Sequence, residues 1–319
     1  IDHTFSNHIT RIRTDKTKLV PYFLMLLFLK YKEQAIFRSI CNTHVGQSGI
    51  SKNELLRLKI ICPPLIEQQK IASILSYVDY LINQTQKIVE QTQRLKKGIL
   101  EKLLTKGIGH TRFNKTKLGE IPEEWKIEKL ENICKITDTP HYTSPLFKDG
   151  IPVITTADCD ESGRIDYTHV NFTTREEYQK RRETINPEKD DVLFTREAPL
   201  GIAVVVDRDE IAVGQRIILL KLDKKLINNM FLITFLNSAR GIYQSNSFAI
   251  KTTVERVNIS DIKKFVIPLP SILEQQKISN ILSNVDLQIQ KEQEYKSNLE
   301  TLKKGLMQKL LTGQIRVKV

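Results

Sequence analysis

The residues of this 319-residue chain best suited to chemistry are polar and basic side chains in short turns, fit for hydrogen bonding rather than for bond making. Lys251-Thr252-Thr253 is the clearest group, with Gln244 and Asn246 just ahead of it. An amide sets a donor beside an acceptor and so matches a purine edge, while a lysine offers a point charge to a phosphate. His141-Tyr142-Thr143-Ser144 follows one strand-like run, and Thr155 and Thr156 close another. Arg196 lies in a Thr-Arg-Glu turn, where it either forks onto guanine or phosphate or pairs with Glu197. Lys180-Arg181-Arg182 forms a basic run on a predicted helix, expected to be mainly a solvated face. The net charge of +12 and the pI near 9.4 point to a polyanionic partner, nucleic acid foremost.

Catalytic constellations are not visible. Gly46 to Lys52 lacks the GK[ST] spacing of a phosphate loop, and there is no glycine-rich loop for S-adenosylmethionine. The Pro-Pro step in Cys62-Pro63-Pro64-Leu65 lacks the preceding Asn or Asp of an amino-methyltransferase tetrapeptide. Cys41, Cys62, Cys134 and Cys159 have neither metal-site nor disulfide-framework spacing, so each is expected to be a small core residue in a reducing cytoplasm. We therefore expect no catalytic residue, metal or cofactor on this chain. The apolar run Leu19 to Leu29 spans 11 residues and contains Pro21, which reads as a core helix and not a membrane span.

The elements that position these residues are announced by a repeat. Residues 67–105 return as residues 274–312 at a constant offset of 207, with 20 of 39 positions identical. Both copies are rich in helix formers, and Gly107 and Gly313 supply stops. Apolar residues recur at steps of three and four through Ile71, Leu75, Val78, Ile82, Ile88, Thr92, Leu95, Ile99 and Leu103. The second copy has Ile278, Leu282, Val285, Ile289, Tyr295, Leu299, Leu302, Leu306 and Leu310. Such a seam predicts that the two helices pair as a coiled coil. Thr85 and Glu292 interrupt it as register-setting polar residues, and Gly98 and Gly305 suggest close backbone approach. Ser271 and Glu274 read as a capping box. Lys96-Lys97 and Lys303-Lys304 suit solubility or partner docking.

The duplication extends upstream. Lys18-Leu19 aligns with Lys225-Leu226, and the apolar helices LVPYFLMLLFL and LINNMFLITFL correspond. HITRIRT and QRIILLKL precede them as strands, and LRLKIICPP and KKFVIPLP follow as strands leading into the long helices. Between about Ile36 and Ser51 the copies diverge, so individual function belongs there; His44 and Gln47 are the counterparts of the Lys251 loop. The middle of the chain reads as a complete module. Strands are expected at Ile151–Thr155, Val192–Thr195, Ile202–Val206 and Arg216–Lys221, and helices at Thr174–Glu183 and Asn229–Ser238. By the offset, the first module lacks a counterpart of about residues 118–207, and with Ile1 in first place the chain is expected to be either a fragment or an incomplete reading frame.

This order, module and long helix twice over, resembles the specificity (S) subunit of type I restriction–modification systems. The junctions IICPPLIEQQKIASILSYVD and VIPLPSILEQQKISNILSNVD resemble that family's, as do LGEIPEEWKIEKL and DVLFTREAPLG within its target recognition domains. The resemblance implies an α+β fold whose mixed α/β recognition domains are joined by two long helices in an antiparallel coiled coil. The corresponding domains are 1–62, a remnant of the first recognition domain; 63–108, a spacer helix; 109–268, the second recognition domain; and 269–319, the second spacer helix and tail. It implies further that each recognition domain reads one half of a split double-stranded DNA target. The helices hold the halves apart, with their roughly 57 Å length covering about 17 base pairs. Two methyltransferase (M) subunits then dock along the helices and restriction (R) subunits join, so that S-adenosylmethionine and ATP/Mg belong to those partners, with no membrane involved. The truncated first domain leaves only the second half-site to be read. Two other readings stay open: the specificity region of a single-chain restriction–methyltransferase, and a coiled-coil interaction protein with no DNA role.

Overall fold

The computed structural model describes residues 9–44, 47–250 and 255–318, and for residues 42–48 nothing of the side chains. The chain divides into two compact units, residues 1–93 with 287–319, and residues 94–286.

In the first unit, Pro21 opens helix α1 (Pro21–Glu33), as its fixed φ and missing N–H suit a first turn. A short helix α2 (Ile36–Ser39), a hairpin of β1 (Asn42–His44) and β2 (Gln47–Gly49), and helix α3 (Lys52–Arg57) lead to α4 (Leu65–Lys106). Ser51 and Glu54 form a reciprocal capping box on α3. Phe23, Leu26 and Leu27 of α1 pack with Ile71 and Leu75 of α4 and with Met307, Leu310 and Leu311. The expected strands HITRIRT and LRLKIICPP do not form at the described positions. A strand needs a ladder partner, and the partners that the second unit supplies have no counterpart among the described residues here.

The second unit starts with a hairpin of β3 (Phe113–Thr116) and β4 (Gly119–Pro122), then β5 (Lys126–Lys129), α5 (Leu130–Ile133) and β6 (Cys134–Asp138). Next come β7 (Ile151–Ile154), a 3-10 turn at Thr156–Asp158, β8 (Asn171–Thr173), α6 (Arg175–Arg182), β9 (Val192–Thr195) and β10 (Ala203–Val205). The unit continues through β11 (Ala212–Val213), β12 (Ile217–Leu222), α7 (Asn229–Leu236), α8 (Ala239–Phe248), α9 (Ile259–Ile262) and β13 (Val266–Leu269). One sheet has the order β10-β9-β12-β6, a second β11-β7-β8, and β13 pairs with β5. The four expected strands and both expected helices are present within a residue or two. Gln244 and Asn246, read as loop residues, lie on α8.

The second long helix is α10 (Ile272–Leu310). Within each unit the stretches of α4 and α10 run antiparallel. In the first unit Asp79 meets Lys303 at 2.6 Å and Glu67 meets Arg316 at 2.6 Å. In the second, Lys96 meets Asp286 at 2.5 Å and the Ile108 N–H donates to Glu274 at 2.9 Å. The two Lys–Asp pairs are related by the repeat, since 96 + 207 = 303 and 79 + 207 = 286. Gly107 and Gly313 take the left-handed conformation that a helix stop requires, at φ +60° and +74°.

A paired glutamine shows where the repeat slips. Gln68 accepts from Val20 N–H and donates to Lys18 and Pro63 carbonyls. Gln275 accepts from Asn228 N–H and donates to Leu226 and Pro270 carbonyls. Pro63 and Pro270 keep the offset of 207, whereas Val20 and Asn228 differ by 208. The structural alignment at α1 and α7 is therefore one residue from the sequence alignment.

Four expectations for the helices need correction. Ile88, Leu95, Tyr295 and Leu302 are 44%, 59%, 49% and 50% exposed. The seam instead passes through Thr85, Val89 and the two ion-paired lysines, keeping the three–four rhythm without the six-residue gap from 82 to 88. Thr85 is buried, with its hydroxyl donating to Leu81 of its own helix, and among the described residues Glu292 bonds only along its helix, accepting from Gln288. A Cβ at Gly98 or Gly305 would meet open space, so neither marks a close approach. Ser271 does accept from the Glu274 N–H at 3.3 Å, but the Glu274 carboxylate turns to Ile108, His110 and Trp125 instead of closing the box. Two of the four cysteines, Cys134 and Cys159, are core residues whose thiols burial pushes up to about 12; Cys62 is exposed and Cys41 partly so.

Candidate nucleic-acid interface

The strands of the second unit bring several loops to one edge. Antiparallel register sets Ile218 opposite Asp138 and Ile217 opposite Thr195, so β6 and β9 end where β12 begins. Val213 of β11 lies beside Ile154 of β7, which puts the ends of these parallel strands together. The loops after β6, β7 and β9 and the turn from β11 to β12 therefore converge. Cross-bonds tie them: the Thr156 hydroxyl donates to Ala198 O at 2.9 Å, and Arg196 N–H to Arg216 O at 2.9 Å.

Charged side chains form a line along this edge. His141 Nε2 lies 3.2 Å from Asp138, and Asp138 lies 3.5 Å from Arg196 Nε. Arg196 reaches Glu197 at 3.8 Å, and Glu197 meets Arg216 Nε at 3.1 Å. His141 is 73% exposed and Arg196 12%. Arg196 thus makes the structural pairing that was weighed against base contact, yet it sits at the edge beside residues that are open. Each guanidinium is held by a carboxylate, which fixes its direction at modest energetic gain.

Lys251, Thr252 and Thr253 lie outside the described residues. The described residues on either side of them are held at this edge, as Ile250 N–H donates to Arg256 O at 2.8 Å and Val257 N–H to Arg196 O at 3.0 Å. Exposed Arg256 therefore joins the group. Asn246 is exposed on α8. Gln244 is buried, and both ends of its amide bond Val266, at 3.0 and 2.7 Å. It secures β13 and has no free face for a base.

Two further candidates have local duties. Thr155 caps the 3-10 turn, its N–H and hydroxyl both donating to Asp158 Oδ2, at 2.8 and 2.7 Å. Arg181, expected on a solvated face, is 1% exposed. Its guanidinium donates to Tyr142 O at 2.7 Å, Val213 O at 2.9 Å and Glu177 at 3.0 Å, and also reaches the Ser144 hydroxyl. That clamp holds the His141–Ser144 loop, leaving His141 and Thr143 exposed at its crest. Burial alone would raise the Glu177 carboxyl, but its bonds from Ser144 and Arg181 help to outweigh it and hold the group below its ordinary value. For His44 and Gln47 only the backbone is described, as directly opposed residues of the β1–β2 ladder.

Sequence reasoning missed Arg216 and Arg256. Arg216 was assigned to the strand that in fact begins one residue later. The short Gly214-Gln215-Arg216 step between two apolar runs was the available signal.

Residues 2–93 and 122–301 match the family described as the type I restriction modification DNA specificity domain. A putative type I restriction enzyme specificity subunit of Methanocaldococcus jannaschii, MjaX, is 33% identical over 314 residues, covering 96% of this chain and 71% of that protein. The MjaVIII specificity subunit of the same organism is 30% identical, over 95% of this chain and 72% of its own length. Among solved structures, the HsdS subunit of Thermoanaerobacter tengcongensis superposes with a TM-score of 0.54 at 19% identity, covering 95% of this chain and 73% of that one. The S subunit of M. genitalium gives 0.58 at 17% identity, covering 93% and 74%. At these identities the structures speak for the fold.

Proposed function

The chain belongs to the type I restriction–modification DNA specificity family, and on that premise we propose that the second unit reads one half of a split double-stranded DNA target through the edge just described. The observation that carries this is convergence. Four loops and the stem of the 250–256 loop meet at one edge, bringing His141, Thr143, Arg196, Arg216 and Arg256 together from sequence positions more than a hundred residues apart. Arginines there can fork onto base edges or phosphates, and short hydroxyl and amide side chains such as Asn246 can complement them.

The chain supplies recognition and assembly in this reading, working in the prokaryotic cytoplasm. Methyl transfer to adenine and ATP-dependent cleavage fall to M and R subunits, which bring S-adenosylmethionine and ATP/Mg. Two M subunits dock on the long helices. Support comes from apolar side chains left exposed in both copies at heptad spacing, Ile88 and Leu95 on α4 and Tyr295 and Leu302 on α10. A stripe of that kind suits another protein's apolar surface.

The test is a triple substitution between Ile250 and Arg256, Lys251→Glu with Thr252→Ala and Thr253→Ala. In complex with M subunits, the variant should bind the target at least about tenfold more weakly, since charge reversal replaces an attraction to phosphate with repulsion. Binding and methylation at wild-type levels would remove the DNA-reading role from this edge.

A further inference from the structure

We infer that Arg216 reads a guanine in the target, with Glu197 as the residue that positions it. The inference rests on the DNA-reading role proposed for this edge and adds to it which side chain discriminates and which base it selects.

Three features set Arg216 apart. Its backbone is left-handed, with φ +71°, a conformation costly for any residue with a Cβ. The strain is held from both sides, because Arg216 O accepts from Arg196 N–H and Gly214 N–H donates to Ile154 O at 2.7 Å. The origin of the side chain is thereby fixed at the junction of both sheets. Second, the side chain is 52% exposed, so a ligand can reach it. Third, Glu197 engages the guanidinium at Nε, 3.1 Å away. Its terminal nitrogens make no hydrogen bond among the described residues.

That last geometry selects the ligand. With Nε held, the two terminal nitrogens remain as a parallel pair of donors, the end-on pattern that matches O6 and N7 of guanine in the major groove. Other arginines of this unit differ. Arg175 is closed end-on by Glu210, at 2.9 and 3.2 Å; Arg208 also has a carboxylate at Nε, Asp207 at 3.7 Å, but its guanidinium lies over the Tyr167 ring at 3.6 Å. A phosphate is the poorer partner, because Glu197 would stand beside the phosphate charge and repel it. A base edge carries no net charge, so there the carboxylate costs little and keeps the fork from turning.

The test uses the whole chain in complex with its methyltransferase partners, with binding read out on a library of randomised target sites. The variants are R216G, R216K and E197Q. Glycine suits the left-handed backbone, so R216G removes the guanidinium without straining the turn. We expect R216G to lose preference for G·C at a single position by roughly ten- to a hundredfold while the other positions keep theirs. R216K should retain a fraction of that preference, and E197Q should weaken it at the same position alone. An R216G protein that binds all sites more weakly by one common factor would make Arg216 a phosphate contact and overturn the inference. So would an unchanged preference. A wild-type complex showing no sequence preference at all would overturn the DNA-reading role itself, an outcome distinct from both.

Discussion

Arg181 shows how a single side chain can determine the shape of an exposed loop while itself buried. Its guanidinium collects two carbonyls, a hydroxyl and a carboxylate from segments 32 to 39 residues away or one helical turn back. Arg181→Met should destabilise the protein by about 3 kcal/mol, because partly buried Glu177 loses its cation and the Tyr142 and Val213 carbonyls lose their donor; urea unfolding measures this. Glu67 offers a test by pH. The hydrogen bonds from Arg316, opposed by burial and aided by Val317 N–H, hold its carboxyl below the ordinary value. A group depressed on folding contributes its full stabilisation above the ordinary carboxylate range and loses it as pH falls through the depressed value. Stability of the wild type should therefore drop between about pH 5 and pH 3 more steeply than that of Glu67→Gln, as followed by thermal melts. At this scale the sequence was least legible. Residue type showed which side chains could bond, but Arg181 and Gln244 were engaged by backbone groups that only the fold brings near.

Elements were more legible, because periodicity and punctuation are local. The long helices, their stops at Gly107 and Gly313 and the strands at 151–154 and 192–195 follow from apolar spacing and left-handed glycines. What periodicity could not determine was the seam in the C-terminal third of each helix, where lysine replaces an apolar residue. Lys96 and Lys303 reach the seam because Asp286 and Asp79 meet them. Lys303→Asp should lower stability and Asp79→Lys should recover it in the double variant. The coupling should be about 1 kcal/mol or less, given that both groups are partly exposed. A double-mutant cycle by chemical denaturation reads this directly, and additivity of the two substitutions would deny the pair a part in setting register. The absent strands near residues 9–14 and 58–62 teach the converse lesson. Their sequences have strand character, yet a strand exists only beside another strand.

For the molecule as a whole, order of parts carried more information than any motif. The repeat at 207 residues announced two modules with a helix apiece, and the family match runs over residues 2–93 and 122–301. If the exposed stripes take M subunits, Ile88→Asp with Tyr295→Asp should abolish co-purification of the methyltransferase while leaving the melting temperature within a few degrees. Undiminished co-purification would place the docking surface elsewhere. The reciprocal ion pairs have one more consequence. Each long helix carries an aspartate and, 17 positions on, a lysine (96 − 79 = 303 − 286), so acid and base are both present in every copy of the motif. The lock is self-complementary: laid head to tail against its own twin, either helix alone would satisfy both bridges. A chain of one module and one helix would therefore carry both halves of this lock for a twofold pairing with its own copy.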